Sequence, residues 1–337
     1  NPNYEKVKFF QFYINIFKSK LKIVSGVRYI LGSVFSLFHA RFSGVKICHY
    51  HLFHVNILVL FDFILTKILG MKVVYTIHDV VSFESSTSNE KLTKWIYKRV
   101  DKILTHNDFS KRIFKEHYTS IITEVDVIPH GNYVPFLNIQ TDSIASKIHL
   151  GIPQDKKILL FFGMIKKVKG LEVLLNSLKV VVENNPDVIL VIAGRVWENN
   201  FSVYQKIIDE NNLADHCIIH NKFIPHEDVD HYYASSDLIV LPYKRIYQSG
   251  VLMMSMSYEK AVLVSNLPPL TDVVQDMETG FVFESENPTS LANKLNLILL
   301  DMNNLERVRL NGSNLMKTKY DWSAIALLTK KSYQSIL

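Results

Sequence analysis

Lys166, Lys169, Gly170, Ser249, Gly250 and Val251 are the residues whose types and spacing bear most directly on chemistry. In ILLFFGMIKKVKG (158–170) an apolar strand runs into Gly163 and then into lysines. In DLIVLPYKRIYQSGVLMMSMSYEKAVLVSN (237–266) an apolar strand ends at Pro242, and a polar loop closes on Gln248-Ser249-Gly250. A small- and Met-rich helix then begins. Strand, glycine loop and helix in succession put unpaired backbone N–H groups and a helix dipole at the strand's carboxyl end. That geometry suits an anion such as a diphosphate, and two such units in one half of the chain point to a nucleotide-type ligand. Ser249 also reads as an ordinary N-cap, and the two roles are compatible. Further strand ends carry His78 before Asp79, Gly194-Arg195, and His130-Gly131. Arg195 is placed to meet an anion. His49 and His51 share a strand face by period two and read as a packed pair. With no clustered carboxylates or D-x-D pair at a strand end and no Cys/His metal spacing, no metal site is expected.

The elements that must position these residues alternate. Strands are predicted over 7–14, 45–50, 71–77, 102–105 and 125–128, with helices over 20–42, 56–69, 91–101 and 110–118. A polar stretch, 138–146, reads as an interdomain linker. Strands resume at 157–162, 188–193, 217–220, 238–241, 261–265 and 281–283. Helices fall at 171–184, 202–211, 227–234, 251–258, 288–300, 304–317 and 322–336. Short, continuously apolar strands alternating with helices predict parallel sheets covered on both faces. The expectation is an α/β chain of two doubly wound Rossmann-like domains facing a central cleft. These are 1–138 on the amino side and 139–321 on the carboxyl side, with helix 322–337 packing back on the first.

Composition sets the class. At 337 residues, 48% hydrophobic and 21% charged, the chain can fill two cores and is not disordered. Residues 1–138 carry 18 Lys and Arg against 10 Asp and Glu, while 139–337 carry 20 against 22. Residues 6–61 hold eight basic residues and no acidic one. Interspersed Phe, Ile, Leu and Tyr favour an anionic membrane surface over nucleic acid as the partner. Cys48 and Cys217 are too few for a disulfide framework and fit a reducing cytoplasm. The run 9–17 has no small-residue cleavage site after it, so no signal peptide is expected. Residues 52–69 come nearest to a membrane span, but Asp62 lies mid-segment, so a buried helix is expected there.

These pieces together resemble a known family. FFGMIKKVKGLEVLL (161–175), VILVIAG (188–194), DLIVLPY (237–243), SGVLMMSMSYEKAVLVSN (249–266) and ETGFVF (278–283), followed by the Trp322 helix, resemble the nucleotide-binding domain of retaining GT-B glycosyltransferases of family 4, the group 1 transferases. KICHYH (46–51), VVYTIHD (73–79) and VIPHGNY (127–133) resemble its amino-terminal strand ends. The resemblance implies retaining, metal-independent transfer of a sugar from a nucleotide diphosphate sugar. The leaving diphosphate helps to activate the acceptor hydroxyl on the same face. Lys169 would reach the donor diphosphate, with Lys166 standing in for the family's arginine at Met164. Gly163, Gly170, Gly194, Arg195, Ser249, Gly250 and Val251 would line the donor site, Phe223-Ile224 would read the base, and His78 would lie against the donor sugar.

The chain also departs from the pattern. The family's two glutamates fall here at Ile246 and Met254. Glu259 does not simply replace the second, being roughly 140° round the helix from it. The glycine-rich loop after the family's first strand has no counterpart, since no glycine precedes Gly26. That loop either lies upstream of Asn1 or is lacking. The function expected is transfer from a UDP- or GDP-sugar, with no other cofactor, to a glycan or polyprenyl-linked acceptor of bacterial envelope polysaccharide synthesis. The expected location is cytoplasmic, peripheral on the inner face of the plasma membrane. A non-catalytic sugar-nucleotide-binding relative and a GT-B epimerase are the alternatives; a G-x-G-x-x-G after a strand, which a dehydrogenase needs, is absent.

Overall fold

A computed structural model describes residues 8–15, 21–81, 89–197 and 200–337. The chain divides into two compact units, one running to Pro129 and resuming with Ile325–Leu337, the other spanning His130–Ala324.

In the first unit, α1 (Lys22–Phe42), β1 (Ile47–Leu52), α2 (Ile57–Ile68), β2 (Lys72–Ile77), α3 (Glu90–Tyr97), β3 (Lys102–Thr105), α4 (Asp108–His117) and β4 (Val125–Val127) follow in order. The four strands pair in parallel in sequence order. Asparagine side chains cap three of the helices: Asn56, Asn89 and Asn107 each accept a first-turn N–H. The sheet's amino end is pinned by charge. Asp101 accepts from Lys67 at 2.5 Å and from the Val73 amide at 2.8 Å. Buried Lys102 pairs with Glu124 at 2.6 Å and Asp126 at 3.4 Å.

Residues 8–14 form no strand, contrary to the sequence reading. They lie along α1 instead, with the Tyr13 hydroxyl on Ser33 Oγ at 3.0 Å and the Phe10 ring 4.3 Å from His39. Nor is 52–69 the most span-like segment. Helix α2 has only 12 residues, whereas Ile23–Phe42 of α1 is long and apolar enough to cross a membrane by length and composition.

The second unit holds α5 (Ser143–Leu150), β5 (Lys157–Phe162), α6 (Leu171–Asn184), β6 (Val188–Ala193), α7 (Ser202–Glu210), β7 (Cys217–His220), α8 (His226–Ser235), β8 (Leu238–Leu241), α9 (Gly250–Ser257), β9 (Ala261–Ser265), α10 (Pro268–Thr271), β10 (Phe281–Phe283), α11 (Pro288–Leu300) and α12 (Met302–Thr318). Its six strands are parallel in the order β10-β9-β8-β5-β6-β7. Strand β5 shows why its run is continuously apolar. Leu159 and Phe161 pack on the face covered by α6 and α11, while Ile158, Leu160 and Phe162 pack on the face covered by α8 and α9.

The expected linker is partly helix. Asp142 caps α5 through the Ala145 amide at 2.6 Å, and Gly151 ends it in the left-handed conformation. Residues 130–138 belong to the second unit rather than the first, and buried Asn132 holds them there. Its amide N–H donates to Tyr320 O at 2.8 Å, its side chain donates to Met316 O at 2.9 Å and accepts from the Val134 amide at 3.1 Å, and its carbonyl accepts from the Trp322 indole at 2.8 Å. The last helix, α13 (Trp322–Gln334), begins in this unit. From Ile325 on it belongs to the first, with Ile325, Tyr333 and Ile336 against Val74, Leu104 and Ile128.

Replacing Asn132 with Ala should destabilise the second unit by about 2 kcal/mol, because it strands the buried Met316 carbonyl and the half-buried Val134 amide. Urea denaturation checks this, and a midpoint equal to wild type would deny Asn132 that role.

Candidate functional site

In the second unit the strand order reverses between β5 and β8, which makes their carboxyl ends the topological switch point where such sheets bind ligands. Three loops leave the sheet here and are stitched together by their backbones. After β5 and β6, Gly163 N donates to Ala193 O, Ile165 N to Arg195 O and Trp197 N to Ile165 O, at 2.9 to 3.0 Å. After β8, Lys244 N donates to Val168 O at 2.8 Å. The approach is close enough to demand glycine. A Cβ on Gly170, whose φ is +66°, would stand 2.0 Å from Pro242 O, and one on Gly194 would stand 2.1 Å from Gly163 O.

This stitching aims Lys169. Its ammonium lies 3.3 Å from where a Gly163 Cβ would stand, a point itself 3.5 Å from Val251 Cγ2 in the first turn of α9, and it faces the Tyr243 ring at 5.4 Å. Ser249 caps α9, its Oγ accepting from the Leu252 amide at 3.1 Å, while its carbonyl takes the Met253 amide at 3.3 Å. The amides of Gly250 and Val251 are left at the open, positive end of the helix. Tyr243 Oη and Gln248 Nε2 are buried with no hydrogen-bond partner among the described residues. An ammonium beside a helix amino terminus is an arrangement that suits an anion.

A pocket of about 530 Å³ opens at the ends of β5 and β6. Gly163, Gly194, Arg195, Phe223 and Ile224 all line it. The volume suits a nucleoside. Trp197 also lines it and the sequence reading passed over it, although a tryptophan three residues beyond a strand-end glycine was a legible signal. Lys166 lies over this ring at 5.1 Å, so the two lysines attend different aromatic faces. Lys166, Lys169, Gly170, Ser249, Gly250 and Val251 are not lining residues of this pocket, and Gly163 is the element common to both.

The positions of the family's glutamates are apolar in space as well as in sequence, since Ile246 and Met254 pack against the core beneath β5 and β8. Glu259 is engaged elsewhere. It pairs with Lys317 at 2.5 Å and Arg309 at 3.4 Å, and the Lys317 hydrogen bond holds its carboxyl below the ordinary range.

In the first unit, histidines gather at the carboxyl ends of β1, β2 and β3. His78 Nε2 meets His51 Nδ1 at 3.1 Å, stacks on Phe53 at 4.5 Å, and has the His106 ring at 5.0 Å. His49 is the anchor of the row, between the Tyr333 hydroxyl at 2.6 Å and Thr76 Oγ1 at 2.7 Å. Burial, with His51 and His106 nearby, pulls its pKa down to about 4, so it stays neutral. His49 and His51 do stack, at 4.8 Å, but as part of a larger group than the expected pair. His106, directly after β3, was not singled out in the sequence. Among the described residues no group of three His, Cys, Asp or Glu is disposed to hold a metal ion.

Residues 142–314 match the family described as "Glycosyl transferases group 1". The chain is 25% identical over 287 residues to the YtcC protein of Bacillus subtilis, covering 79% of this chain and 68% of that one. It is 27% identical over 274 residues to the phosphatidyl-myo-inositol mannosyltransferase of Mycobacterium tuberculosis, covering 76% of this chain and 67% of that one. Across these and other curated relatives it spans between 46% and 70% of their length. Among solved structures, Anabaena HepE in complex with UDP and glucose superposes with a TM-score of 0.72 at 15% identity, covering 90% of this chain and 81% of that one.

Lys169→Ala should weaken binding of UDP or GDP by about tenfold or more, since it removes the cation aimed at the open end of α9. Isothermal calorimetry reads this directly, and an unchanged Kd in a folded variant would return Lys169 to the solvated surface.

Proposed function

The chain belongs to the glycosyl transferases of group 1 and has the two-domain GT-B fold, and from that premise we propose that it transfers a hexose from a UDP- or GDP-sugar, with retention of configuration and as a family 4 enzyme, to a glycan or lipid-linked acceptor of bacterial envelope polysaccharide synthesis. The observation that carries the reading is the Lys169 ammonium set beside the open amino terminus of α9 at the β5–β8 switch point, next to an aromatic pocket of nucleoside size. The relative acting on phosphatidyl-myo-inositol supports a lipid-linked acceptor.

As the bond between the anomeric carbon and the diphosphate oxygen breaks, negative charge collects on the leaving diphosphate. Lys169 and the Gly250 and Val251 amides then stabilise that charge more in the transition state than in the ground state. The acceptor oxygen bonds to the anomeric carbon on the face the diphosphate leaves, and its proton passes to a diphosphate oxygen. Gly163, Gly170, Gly194, Arg195, Phe223 and Ile224 are the proposed walls of the donor site, Trp197 the proposed platform for the base, and Lys166 a second cation. His78 is proposed to donate to a hydroxyl of the transferred sugar, held in orientation by His51 and Phe53. No other cofactor enters.

A peripheral position on the cytoplasmic face of the membrane is part of the same proposal. Of the eight basic residues in 6–61, Lys6, Lys18 and Lys20 lie outside the described residues, as does the Lys22 side chain. Arg28 and Arg41 are hydrogen-bonded to the carbonyls of Asn15 and Leu69. Helix α1 instead presents a stripe of exposed Ile23, Val27, Leu31, Phe35, Phe38 and Phe42 at helical spacing. An apolar stripe in a region with eight basic residues and no acidic one supports docking on anionic lipid, each nearby cation adding about 1 kcal/mol.

Transfer should survive excess EDTA, since Lys169 and the α9 amides supply the positive charge. NMR of the product should show the donor's anomeric configuration. Complete loss restored by Mn²⁺, an inverted product, or donor binding without turnover would each overturn a part of this reading.

In vesicle co-sedimentation the protein should bind anionic but not neutral lipid. Binding should weaken with salt and with Val27→Glu/Leu31→Glu. Indifference to lipid charge would favour a soluble acceptor.

A further inference from the structure

Tyr133 lies lengthwise along α9. Its backbone amide donates to Ser257 Oγ at 3.0 Å in the helix's last turn. Its hydroxyl stands 3.2 Å from where a Cβ on Gly250 would be, in the first turn. Gly250, Met254 and Ser257 are four and seven residues apart, so at ~100° per residue they share one helix face, about 10 Å long. Tyr133 therefore runs along the face where the chain carries Met254 and brings a phenol to its amino end. The ring is held parallel to His130, at 5.4 Å and 21°, and packs on the core beside Met254. Apart from Gly250's chain neighbours and the backbone of α9 itself, the Tyr133 hydroxyl is the only described atom within 4 Å of that Gly250 point, which leaves room for a ligand there.

We propose that Tyr133 is a donor-binding residue whose hydroxyl donates a hydrogen bond to a diphosphate oxygen of the nucleotide sugar held by the Gly250 and Val251 amides. The inference rests on reading the β5–β8 end as a nucleotide diphosphate site. A phenol hydrogen-bonded to an ionised oxygen makes a short, strong contact. Burial raises the Tyr133 pKa above its ordinary value, which keeps the proton on the hydroxyl at neutral pH. The same placement gives residue 250 a reason to be glycine, since a side chain there would crowd the hydroxyl and close the helix end.

The test compares wild type with Tyr133→Phe, which keeps the ring, its stacking and the amide bond to Ser257. Calorimetry with UDP and with GDP should show about tenfold weaker binding by the variant, with the thermal midpoint of the unliganded protein unchanged. Equal affinities would overturn the assignment. A fall in the unliganded midpoint without a change in Kd would also overturn it and leave Tyr133 a packing residue. Failure of wild type itself to bind either diphosphate would instead sink the underlying site reading, and that result is separable because it appears before any variant is made.

Discussion

The carbonyl of Pro242 occupies the space that any side chain at residue 170 would need. The architecture of the second unit's binding end follows from that constraint and its counterpart between Gly194 and Gly163. With no Cβ at either position, the loops after β5, β6 and β8 approach to backbone contact and exchange hydrogen bonds outside the sheet. The β5 loop is thereby held from both sides, and its lysine side chains emerge in fixed directions, Lys166 over Trp197 and Lys169 over Tyr243. A cation fixed in advance needs little reorganisation when charge develops, which is the condition under which electrostatic stabilisation contributes most.

The first unit solves a different problem. Its strands end in histidines, which are costly to bury charged; hydroxyls meet His49, while His51 and His78 meet each other and the Ile128 carbonyl meets His106. His49 is fixed by Thr76 from the neighbouring strand and by Tyr333 from α13, so the last helix of the chain helps to order the first strand. Ser332 of the same helix binds Asp126, which in turn pairs with Lys102 on β3. Residues nearly 300 positions apart thus share one polar layer, and the carboxyl-terminal helix is part of this unit's structure rather than an appendage.

The missing carboxylate on α9 has a structural counterpart. Met254 belongs to the apolar packing that holds α9 on the sheet. Glu259, the nearest acid in sequence, sits beyond the helix at φ +57° and serves to tie α12 down through Lys317 and Arg309. A charge so paired is not available to a ligand.

The sequence by itself determined the strands of both sheets, most of the helices and the glycines where the second unit's loops meet. The reason is physical: fully buried parallel strands are continuously apolar over four to six residues, and close loop approach admits only glycine. The unit boundary was not legible, because Asn132 anchors residues 130–138 through carbonyls almost 190 positions away. Residues 8–14 read as a strand, but composition does not disclose that no neighbouring strand edge receives them. Helix α5 was hidden by its polar residues, although its cap, Asp142, and its stop, Gly151, were in view. Trp197 and Tyr133 looked like loop aromatics until the fold set one beneath Lys166 and the other along α9. Local chemistry fixes which residue types can meet an anion; only long-range packing decides which of them share a site, since that depends on contacts no local pattern encodes.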